Sequence, residues 1–198
     1  MIRETAIVGC VLAGGRSTRM GSDKALLKLG GVTLIERAVT LLTRMFPSVV
    51  ISSDRGAAFE FLGIPVLPDI RKDCGPLGGI QAALMHTNAD RLFVLACDMP
   101  FVSPDLIRYL ISSHPDADAV VPSSGGRVHP LCGLYSRNGL PAIERALDRA
   151  SYRLQDVLGE LKAGFVPITS DLPFYRSYLL DNLNTVEDVE RAQGSGEV

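Results

Sequence analysis

The chain has 198 residues, which at roughly 150 residues per domain corresponds to one or two domains. Hydrophobic residues make up 46% and charged residues 21%, a balance typical of a globular protein rather than a disordered one. The formal net charge is −2, which excludes a nucleic-acid-binding protein whose affinity depends on bulk positive charge. Glycine is in mild excess, with 19 residues, so the positions of the glycines matter.

The first half of the chain alternates apolar strands with helices. A run of Val, Ile and Leu from Ala6 to Leu12 predicts a strand buried on both faces, as in a parallel sheet. A capping box at Thr33 to Glu36 opens a helix that Pro47 ends, and Ser103 with Pro104 marks another helix start. Further strands are predicted at Ser48 to Ser53, Ile64 to Leu67, Leu92 to Ala96 and Ala119 to Val121, with a helix at Ile80 to Met85.

The second half interrupts this alternation. We predict a strand-like run at Val128 to Tyr135, helices at about Gly139 to Arg149 and Leu154 to Leu161, a strand at Phe165 to Ile168, a short helix capped by Thr185, and a disordered tail over residues 193–198. Alternating strands and helices imply right-handed βαβ units. The predicted fold class is therefore α/β: a single-domain, Rossmann-like three-layer α/β/α sandwich with a mostly parallel sheet, spanning residues 1–198.

The sequence gives no sign of a membrane span or a zinc site. The apolar stretch from Ala6 to Ala13 is too short to cross a bilayer, and Glu4 argues against a signal peptide. The four cysteines include no C-x-x-C pair, which favours free thiols in a reducing compartment over structural zinc. We therefore expect a cytoplasmic protein that contacts neither membrane nor nucleic acid.

The segment from Leu12 to Lys24 has the composition of a phosphate-binding loop. It follows the first buried strand, and ligands of open α/β sheets bind beyond the carboxyl ends of the strands. Its glycines let the backbone approach a phosphate closely, and its basic residues supply positive charge. These residues are Gly14, Gly15, Gly21, Arg16, Arg19 and Lys24. The spacing matches neither a Walker A loop nor G-x-G-x-x-G, and a flexible solvated loop is the alternative interpretation.

Three further segments carry candidate ligand-binding residues. The segment Asp69 to Gly79 places three glycines before a helix, whose N-terminus attracts anions. Asp98 stands at the carboxyl end of a buried strand, where one carboxylate together with substrate phosphates can hold Mg²⁺. Asn182 and Asn184 precede a helix, and their amide oxygens can complete a metal shell. Each segment taken alone is also compatible with an ordinary turn or helix cap.

The histidines form no nucleophile constellation with the glycine-rich loops. His129 precedes Pro130 beside a strand, a place from which it can line a pocket. His86 and His114 fall near helix ends, where ordinary surface roles are expected.

Together these segments resemble the molybdenum cofactor guanylyltransferase (MobA) family, among the nucleotidyltransferases of glycosyltransferase-A-like fold. The resemblance covers nearly the whole chain. The first motif is specific to the superfamily, and the ordered set favours this family. The motifs are L-A-G-G-x-S-x-R-M-G-x-D-K at Leu12 to Lys24, D-x(5)-G-P-L-G-G-I at Asp69 to Ile80, C-D-M-P-F at Cys97 to Phe101, H-P-L-C-G-L-Y at His129 to Tyr135 and N-x-N-T-x-E-D at Asn182 to Asp188.

The resemblance implies that the protein transfers GMP from GTP to the terminal phosphate of molybdopterin, releasing pyrophosphate. It implies a Mg²⁺ cofactor held by Asp98 and Asn184, and catalytic roles for Arg19, Lys24 and Asp98. The implied GTP contacts are Leu12, Ala13, Gly14, Gly15, Lys24, Ser52, Asp69, Gly78 and Asp98. Family members can carry Asn at the end of the second strand where this chain has Ser52 and Ser53, and a hydroxyl group is shorter than an amide.

Two alternatives remain open. One is a related nucleotidyltransferase that uses CTP, or a sugar-phosphate or cobinamide acceptor. The other is a non-catalytic nucleotide-binding carrier, which would bind GTP without turnover; the joint presence of Arg19, Lys24, Asp69 and Asp98 argues against it. The expected partners are GTP and molybdopterin, with transient contacts to molybdoenzyme maturation proteins, and the expected state is a monomer or weak oligomer.

Overall fold

A computed structural model describes residues 7–14 and 24–194 of the chain. The strands in these residues are β1 (Ile7–Leu12), β2 (Lys28–Leu29), β3 (Val32–Thr33), β4 (Val49–Ser52), β5 (Val66–Leu67), β6 (Arg91–Ala96), β7 (Ala119–Ser124), β8 (Arg127–Val128), β9 (Cys132–Ser136) and β10 (Ala163–Pro167). The helices are α1 (Leu34–Met45), α2 (Gly56–Phe59), α3 (Gly75–His86), α4 (Pro104–Ser112), α5 (Leu140–Asp148), α6 (Leu154–Leu158) and α7 (Val186–Gly194). Short 3₁₀ turns lie at Lys24–Leu26, Glu60–Leu62 and Arg137–Gly139.

Eight of these strands form one mixed sheet in the order β10-β7-β9-β6-β1-β4-β5, with β8 paired to β7. Strand β1 is parallel to both β4 and β6, β4 is parallel to β5, and β7 is parallel to β10. Strand β9 runs antiparallel between β6 and β7. The chain moves outward on opposite sides of β1, first to β4 and later to β6. The carboxyl ends of β1 and β6 therefore form a topological switch point, where ligands of open α/β sheets bind.

Helices cover both faces of the sheet. Helices α1 and α4 pack in one apolar cluster with Val11 of β1, and helices α3, α5 and α6 pack in another cluster with Leu12. Successive residues of β1 thus point into opposite cores, as a strand buried on both faces requires. The predicted three-layer α/β architecture with a mostly parallel sheet is confirmed.

Two helix starts show the local chemistry that the sequence predicts. Thr33 Oγ1 accepts a hydrogen bond from the Glu36 backbone N–H at 3.3 Å, and Glu36 Oε2 accepts one from the Thr33 N–H at 2.8 Å. Ser103 Oγ accepts a hydrogen bond from the Leu106 N–H at 3.2 Å. Both predicted caps are confirmed, and each satisfies backbone donors that the first helical turn leaves unpaired.

The prediction of one strand at Val128 to Tyr135 is wrong. Strand β8 ends at Val128 and β9 begins at Cys132, because a turn intervenes in which the His129 carbonyl accepts a hydrogen bond from the Cys132 N–H at 3.2 Å. Pro130 in this turn has no N–H to give to a strand ladder.

Several element ends also differ from the predictions. Strand β7 continues to Ser124 rather than ending at Val121, and β10 begins at Ala163 rather than Phe165 and ends at Pro167. Helix α3 begins at Gly75 rather than Ile80, and α6 ends at Leu158 rather than Leu161. Helix α7 reaches Gly194, two residues into the predicted tail, while residues 195–198 lie outside the described residues.

The four cysteines are free and buried, which agrees with the expected absence of disulfides. Burial raises the pKa of the Cys10 and Cys132 thiols to about 12, so both are neutral packing groups at pH 7. Over residues 7–14 and 24–194, no helix combines the length and apolar character that a bilayer crossing demands.

Candidate active site

Asp98 lies at the switch point, in a tight turn beyond the carboxyl end of β6. The Cys97 backbone N–H donates to the Leu12 carbonyl at 3.1 Å, and the Met99 N–H donates to the Ala96 carbonyl at 3.2 Å. The first bond ties this turn to the end of β1, and the second closes the turn itself. The backbone therefore holds the Asp98 side chain beside the start of the glycine-rich loop.

Three segments that are distant in sequence meet at this carboxylate. Asn182 Nδ2 donates to Asp98 Oδ1 at 2.9 Å, and the Leu183 N–H donates to the Asp98 carbonyl at 2.8 Å. Lys24 Nζ lies 3.5 Å from Asp98 Oδ2 and donates to Asn184 Oδ1 at 2.7 Å. The Asp98 and Lys24 side chains are 17% and 34% exposed, so the cluster is accessible to a ligand. The Asp98 cluster is defined here as Lys24, Asp98, Asn182 and Asn184.

The two asparagines of this cluster lie on one face of an irregular segment. Leu183 between them is buried in a small apolar cluster with residues of β2, the start of α1 and α7, while both amides point to the Asp98 side. The segment ends at α7, where Asp188 Oδ2 accepts from the Asn184 and Thr185 N–H groups at 2.9 and 3.0 Å. These bonds hold the pKa of Asp188 below its ordinary value. The helix cap therefore positions Asn184.

A pocket of about 440 Å³ opens next to the cluster, at the carboxyl ends of β1, β4 and β5. We call it the β1–β4 pocket. Its lining includes Leu12, Gly14, Ser52, Asp54, Asp69 and Gly79.

Carboxylates dominate the electrostatics of the β1–β4 pocket. Burial, and then the charge of Asp54, raise the pKa of Asp69, whereas Lys72 and the Ser52 hydroxyl act in the opposite direction. Asp54 Oδ1 accepts from Lys72 Nζ at 2.5 Å and from the Asp69 N–H at 3.0 Å, which holds its own pKa low. Asp54 is thus neutralised within the protein, while Asp69 remains available to hydrogen-bond donors of a ligand.

Two glycines let α3 approach its neighbours closely: Gly79 faces the sheet, and Gly78 faces the segment that precedes the helix. A Cβ on Gly79 would lie 2.5 Å from Ser52 Oγ and 3.2 Å from Leu12 Cδ2. A Cβ on Gly78 would lie 3.0 Å from Cys74 Cβ and 3.6 Å from Asp69 Oδ2. Both glycines lie inside α3, so the predicted polar loop over Asp69 to Gly79 ends in the first turns of the helix, where Gly79 serves close helix–sheet packing.

Arg55 lines the β1–β4 pocket and stabilises the backbone at Ala13. Its guanidinium donates to the Ala13 carbonyl at 3.2 Å and lies 5.6 Å from the centre of the Phe59 ring. Ser53 Oγ also donates to this carbonyl, and the Ala13 N–H donates to the Ser52 carbonyl at 3.0 Å. The backbone polar groups of Ala13 are therefore engaged within the protein.

The structure groups most of the site residues predicted from the sequence. Lys24, Asp98 and Asn184 meet in the Asp98 cluster, while Leu12, Gly14, Ser52 and Asp69 line the β1–β4 pocket with Ala13 and Gly78 directly beside it. Gly15 and Arg19 lie outside the described residues.

Sequence reasoning named Asn182 as a candidate metal ligand but did not predict its hydrogen bond to Asp98, and it left out Asp54 and Arg55. The spacing of the two asparagines could have indicated this contact. Residues i and i+2 of an extended segment lie on the same face, so Asn182 is expected to point to the same side as Asn184. Asp54 and Arg55 follow β4 at the same sheet edge, a position that the sequence could also have indicated.

The Asp98 cluster has the donor set of a hard cation. Within the described residues no group of three or more His, Cys, Asp and Glu side chains could hold a metal ion. Asp98 Oδ2 and Asn184 Oδ1 nevertheless face one positive charge, the Lys24 ammonium, at 3.5 and 2.7 Å. One carboxylate and one amide oxygen leave further positions for phosphate oxygens and water, an arrangement that suits Mg²⁺.

Comparison with known proteins agrees with this geometry. Residues 9–164 match the family described as the MobA-like NTP transferase domain. A probable molybdenum cofactor guanylyltransferase of Pelotomaculum thermopropionicum is 38% identical over 158 residues, covering 80% of this chain and 77% of that protein. The corresponding protein of Carboxydothermus hydrogenoformans is 32% identical, covering 91% and 92% of the two chains. The crystal structure of molybdopterin-guanine dinucleotide biosynthesis protein A from Archaeoglobus fulgidus superposes with a TM-score of 0.82 at 27% identity, covering 96% and 98%.

The fold and the family match together define a nucleotidyltransferase. Within this class the chain belongs to the MobA-like NTP transferase family, whose match extends over most of its length.

Proposed function

We propose that this protein is a guanylyltransferase that transfers GMP from GTP to the phosphate of molybdopterin, forming the guanine dinucleotide cofactor and pyrophosphate. The observation that carries the proposal is the convergence of Lys24, Asp98, Asn182 and Asn184 at the switch point of an NTP-transferase fold. The names of the relatives support the choice of guanine nucleotide and of molybdopterin acceptor.

The roles of the residues follow from their chemistry. The β1–β4 pocket would hold the nucleoside, with Asp69 accepting hydrogen bonds from it and Gly14 allowing close backbone approach. Leu12, Ala13, Ser52 and Gly78 would shape this part of the site. Lys24, together with Arg19 and Gly15 of the preceding loop, would bind the phosphates. Asp98 would lie at the α-phosphate.

In the proposed reaction the protein forms no covalent bond to either substrate. An oxygen of the acceptor phosphate forms a bond to the α-phosphorus of GTP, the bond from that phosphorus to the bridging oxygen breaks, and pyrophosphate leaves with the electron pair. A phosphate monoester is already largely ionised at pH 7, so no general base is required. Lys24 would offset the negative charge on the phosphoryl oxygens. Alignment of the acceptor oxygen with the α-phosphorus of GTP would supply the remaining rate acceleration.

The proposal includes Mg²⁺ as the cofactor, with Asp98 and Asn184 as the residues that would hold it. When bound, Mg²⁺ would supply charge neutralisation at the phosphate oxygens of GTP. Asn182 would keep one carboxylate oxygen of Asp98 engaged and so orient the other.

A product assay tests the proposal. The protein is incubated with GTP, Mg²⁺ and molybdopterin, and the products are identified by mass spectrometry, with an EDTA-treated sample as the control. We expect a guanine dinucleotide that is absent after chelation and returns when Mg²⁺ is restored. Formation of no dinucleotide by the folded protein would contradict the proposed function, and full activity in EDTA would contradict the metal assignment.

We also propose that the protein acts in the cytoplasm and contacts molybdoenzyme maturation proteins transiently. The chemistry supports such contacts, because a dinucleotide cofactor has to be passed from the enzyme that makes it to the enzymes that use it. A pull-down with product-loaded protein tests them.

A further inference from the structure

A second pocket of about 440 Å³ lies beside the Asp98 cluster, toward β8, which is on the opposite side of β6 from β1 and β4 in the sheet order. Asn182 and Asn184 line it, and the same two side chains contact Asp98 and Lys24. The pocket therefore shares a wall with the cluster. Its other walls come from the segment after β8 and from α7, elements that the proposed GTP contacts do not use. We call it the β8–α7 pocket.

Positively charged and hydrogen-bonding side chains converge on the β8–α7 pocket. Arg127 and His129 line it from the β8 side, and Arg191 lines it from α7. Among the described residues Arg127 forms no ion pair. Arg191 pairs only loosely with Asp188, at 3.5 Å, and that carboxylate is engaged by backbone N–H groups. Asp181 and Asp188 also line the pocket, so its formal charges balance, with Arg191 and Asp188 forming a pair. Arg127 is left as the lining cation that no carboxylate of the described residues pairs with, so an anion can bind at the Arg127 side of the pocket.

The backbone around Arg127 and His129 is held firmly. Strands β7 and β8 form a hairpin whose two turn residues, Gly125 and Gly126, have φ of 56° and 76°. This left-handed conformation favours glycine and matches the twist of a tight hairpin. The His129 N–H donates to the Pro122 carbonyl at 2.9 Å, so the residue after β8 is also fixed. Both side chains are therefore presented from a rigid support, as a binding site requires.

His129 is suited to donate a hydrogen bond without a full charge. Burial, and then the neighbouring Arg127, lower its pKa, while Asp181 acts in the opposite direction. The imidazole is consequently neutral at pH 7 and carries one N–H donor. A guanidinium beside a neutral imidazole offers a fork of donors of the kind that binds phosphate oxygens.

We propose that the β8–α7 pocket is the acceptor site and that Arg127 and His129 bind the phosphate monoester of molybdopterin. This inference rests on the proposed function. In an in-line displacement the attacking and leaving oxygens lie on opposite sides of the phosphorus. In the sheet order β1 and β4 lie on one side of β6, the strand that Asp98 follows, and β7 with β8 lies on the other side. A nucleotide in the β1–β4 pocket therefore leaves the β8–α7 pocket to the attacking phosphate. The triphosphate tail of GTP has the same chemistry and is the competing occupant.

Kinetics on Arg127→Ala and His129→Ala separate these two occupants. We expect the KM for molybdopterin to rise by about 10–100-fold in each variant, with the KM and Kd for GTP unchanged within about twofold. Arg127→Lys, which keeps the charge but loses the fork, should fall between the wild type and Arg127→Ala. Arg108→Ala on α4 removes another exposed arginine and serves as the control, with no change expected. Thermal unfolding checks that every variant is folded.

A larger KM and Kd for GTP in Arg127→Ala would overturn the inference in favour of the triphosphate tail, and an unchanged KM for molybdopterin would overturn it outright. Binding of molybdopterin to the nucleotide-free protein, followed by pterin fluorescence, tests the pocket independently of turnover. If the wild type binds molybdopterin through Arg127 but forms no dinucleotide, the proposed function fails and the acceptor site stands. If the wild type makes the dinucleotide and Arg127→Ala binds molybdopterin normally, the proposed function stands and the acceptor site fails.

Discussion

Asn182 donates a hydrogen bond of 2.9 Å to Oδ1 of Asp98, although 84 residues separate them in the chain. The bond engages one carboxylate oxygen and leaves Oδ2 facing Lys24 at 3.5 Å. A carboxylate held in this way presents one oxygen in a defined direction, so a cation or phosphate meets a preorganised group. The last segment of the fold thereby completes a site that begins at the first strand.

Replacing Asp98 tests the centre of the cluster. We expect Asp98→Asn to fold normally and to lose roughly a hundredfold or more of kcat, because the carboxylate charge is removed where the phosphates and the metal meet. Pyrophosphate release under saturating GTP and Mg²⁺ measures this loss. Asp105→Asn on α4, which changes an exposed carboxylate, is the control and should retain full activity. Normal turnover by Asp98→Asn would exclude Asp98 from the metal and phosphate site.

Removing the Asn182 amide tests its positioning role. We expect Asn182→Ala to lower kcat by about 10–100-fold, with little change in the KM for GTP, because Asp98 remains present but loses its orientation. The Mg²⁺ concentration that gives half-maximal activity should rise in parallel. Asn138→Ala, at an exposed asparagine, should behave as the wild type. If kcat and the Mg²⁺ dependence of Asn182→Ala both match the wild type, the hydrogen bond has no role in positioning.

The contact between Gly79 and Ser52 can be tested by a double-mutant cycle. Gly79→Ala should destabilise the protein by about 1–3 kcal/mol, because the new Cβ would lie 2.5 Å from Ser52 Oγ. It should also weaken GTP binding, since the β1–β4 pocket is lined by both residues. In a Ser52→Ala background the same change should cost much less. Urea unfolding measures both effects.

Gly56→Ala is the matched control for this cycle, because a Cβ there meets nothing within 4 Å. It should be neutral or slightly stabilising. An equal loss of stability for Gly79→Ala with and without Ser52 would show that the close approach does not depend on the Ser52 hydroxyl.

Asp69 links the β1–β4 pocket to the pH dependence of stability. Its pKa is raised by burial above the ordinary value of 3.8, so its contribution to stability is present below pH 3.8 and is lost as the pH rises through the folded-state pKa. Asp69→Asn, which mimics the protonated form, should therefore be more stable than the wild type at pH 7. The difference between the two should narrow as the pH is lowered toward 3.8.

Urea unfolding at several pH values measures this difference, and GTP binding by the same variant should weaken. Asp116→Asn, which changes an exposed aspartate, is the control variant. A variant at Asp69 that is less stable than the wild type at pH 7, by an amount independent of pH, would contradict the assigned role of burial.

The predictable parts of the fold are those in which local chemistry decides the structure. The apolar run of β1 and the capping box at Thr33 need only neighbouring residues, and both were predictable. The start of α3 was not predictable, because Gly75, Gly78 and Gly79 are residues typical of a loop. Their place in a helix is explained only when the close approach of Ser52 to the helix is known. The hairpin of β2 and β3, with its turn at Gly30 and Gly31, was missed for the same reason: two glycines indicate a turn only when the short flanking strands are recognised.

The residues of the candidate site also separate into those that local sequence predicts and those that depend on tertiary packing. Asp98 and Asn184 were predictable as candidates because each follows or precedes a regular element. The hydrogen bond from Asn182 to Asp98 and the burial of Asp69 were not, because they depend on the packing of segments distant in sequence. The antiparallel β9 likewise depends on the turn after His129. That turn also completes the support for the β8–α7 pocket.

Pyrophosphate release from GTP, CTP, ATP and UTP, each with Mg²⁺ and molybdopterin, is the most direct test of the account. We predict release with GTP that requires molybdopterin and greatly exceeds the release with the other three nucleotides. Release that is equal or faster with CTP, or independent of molybdopterin, would contradict the assignment as a molybdopterin guanylyltransferase.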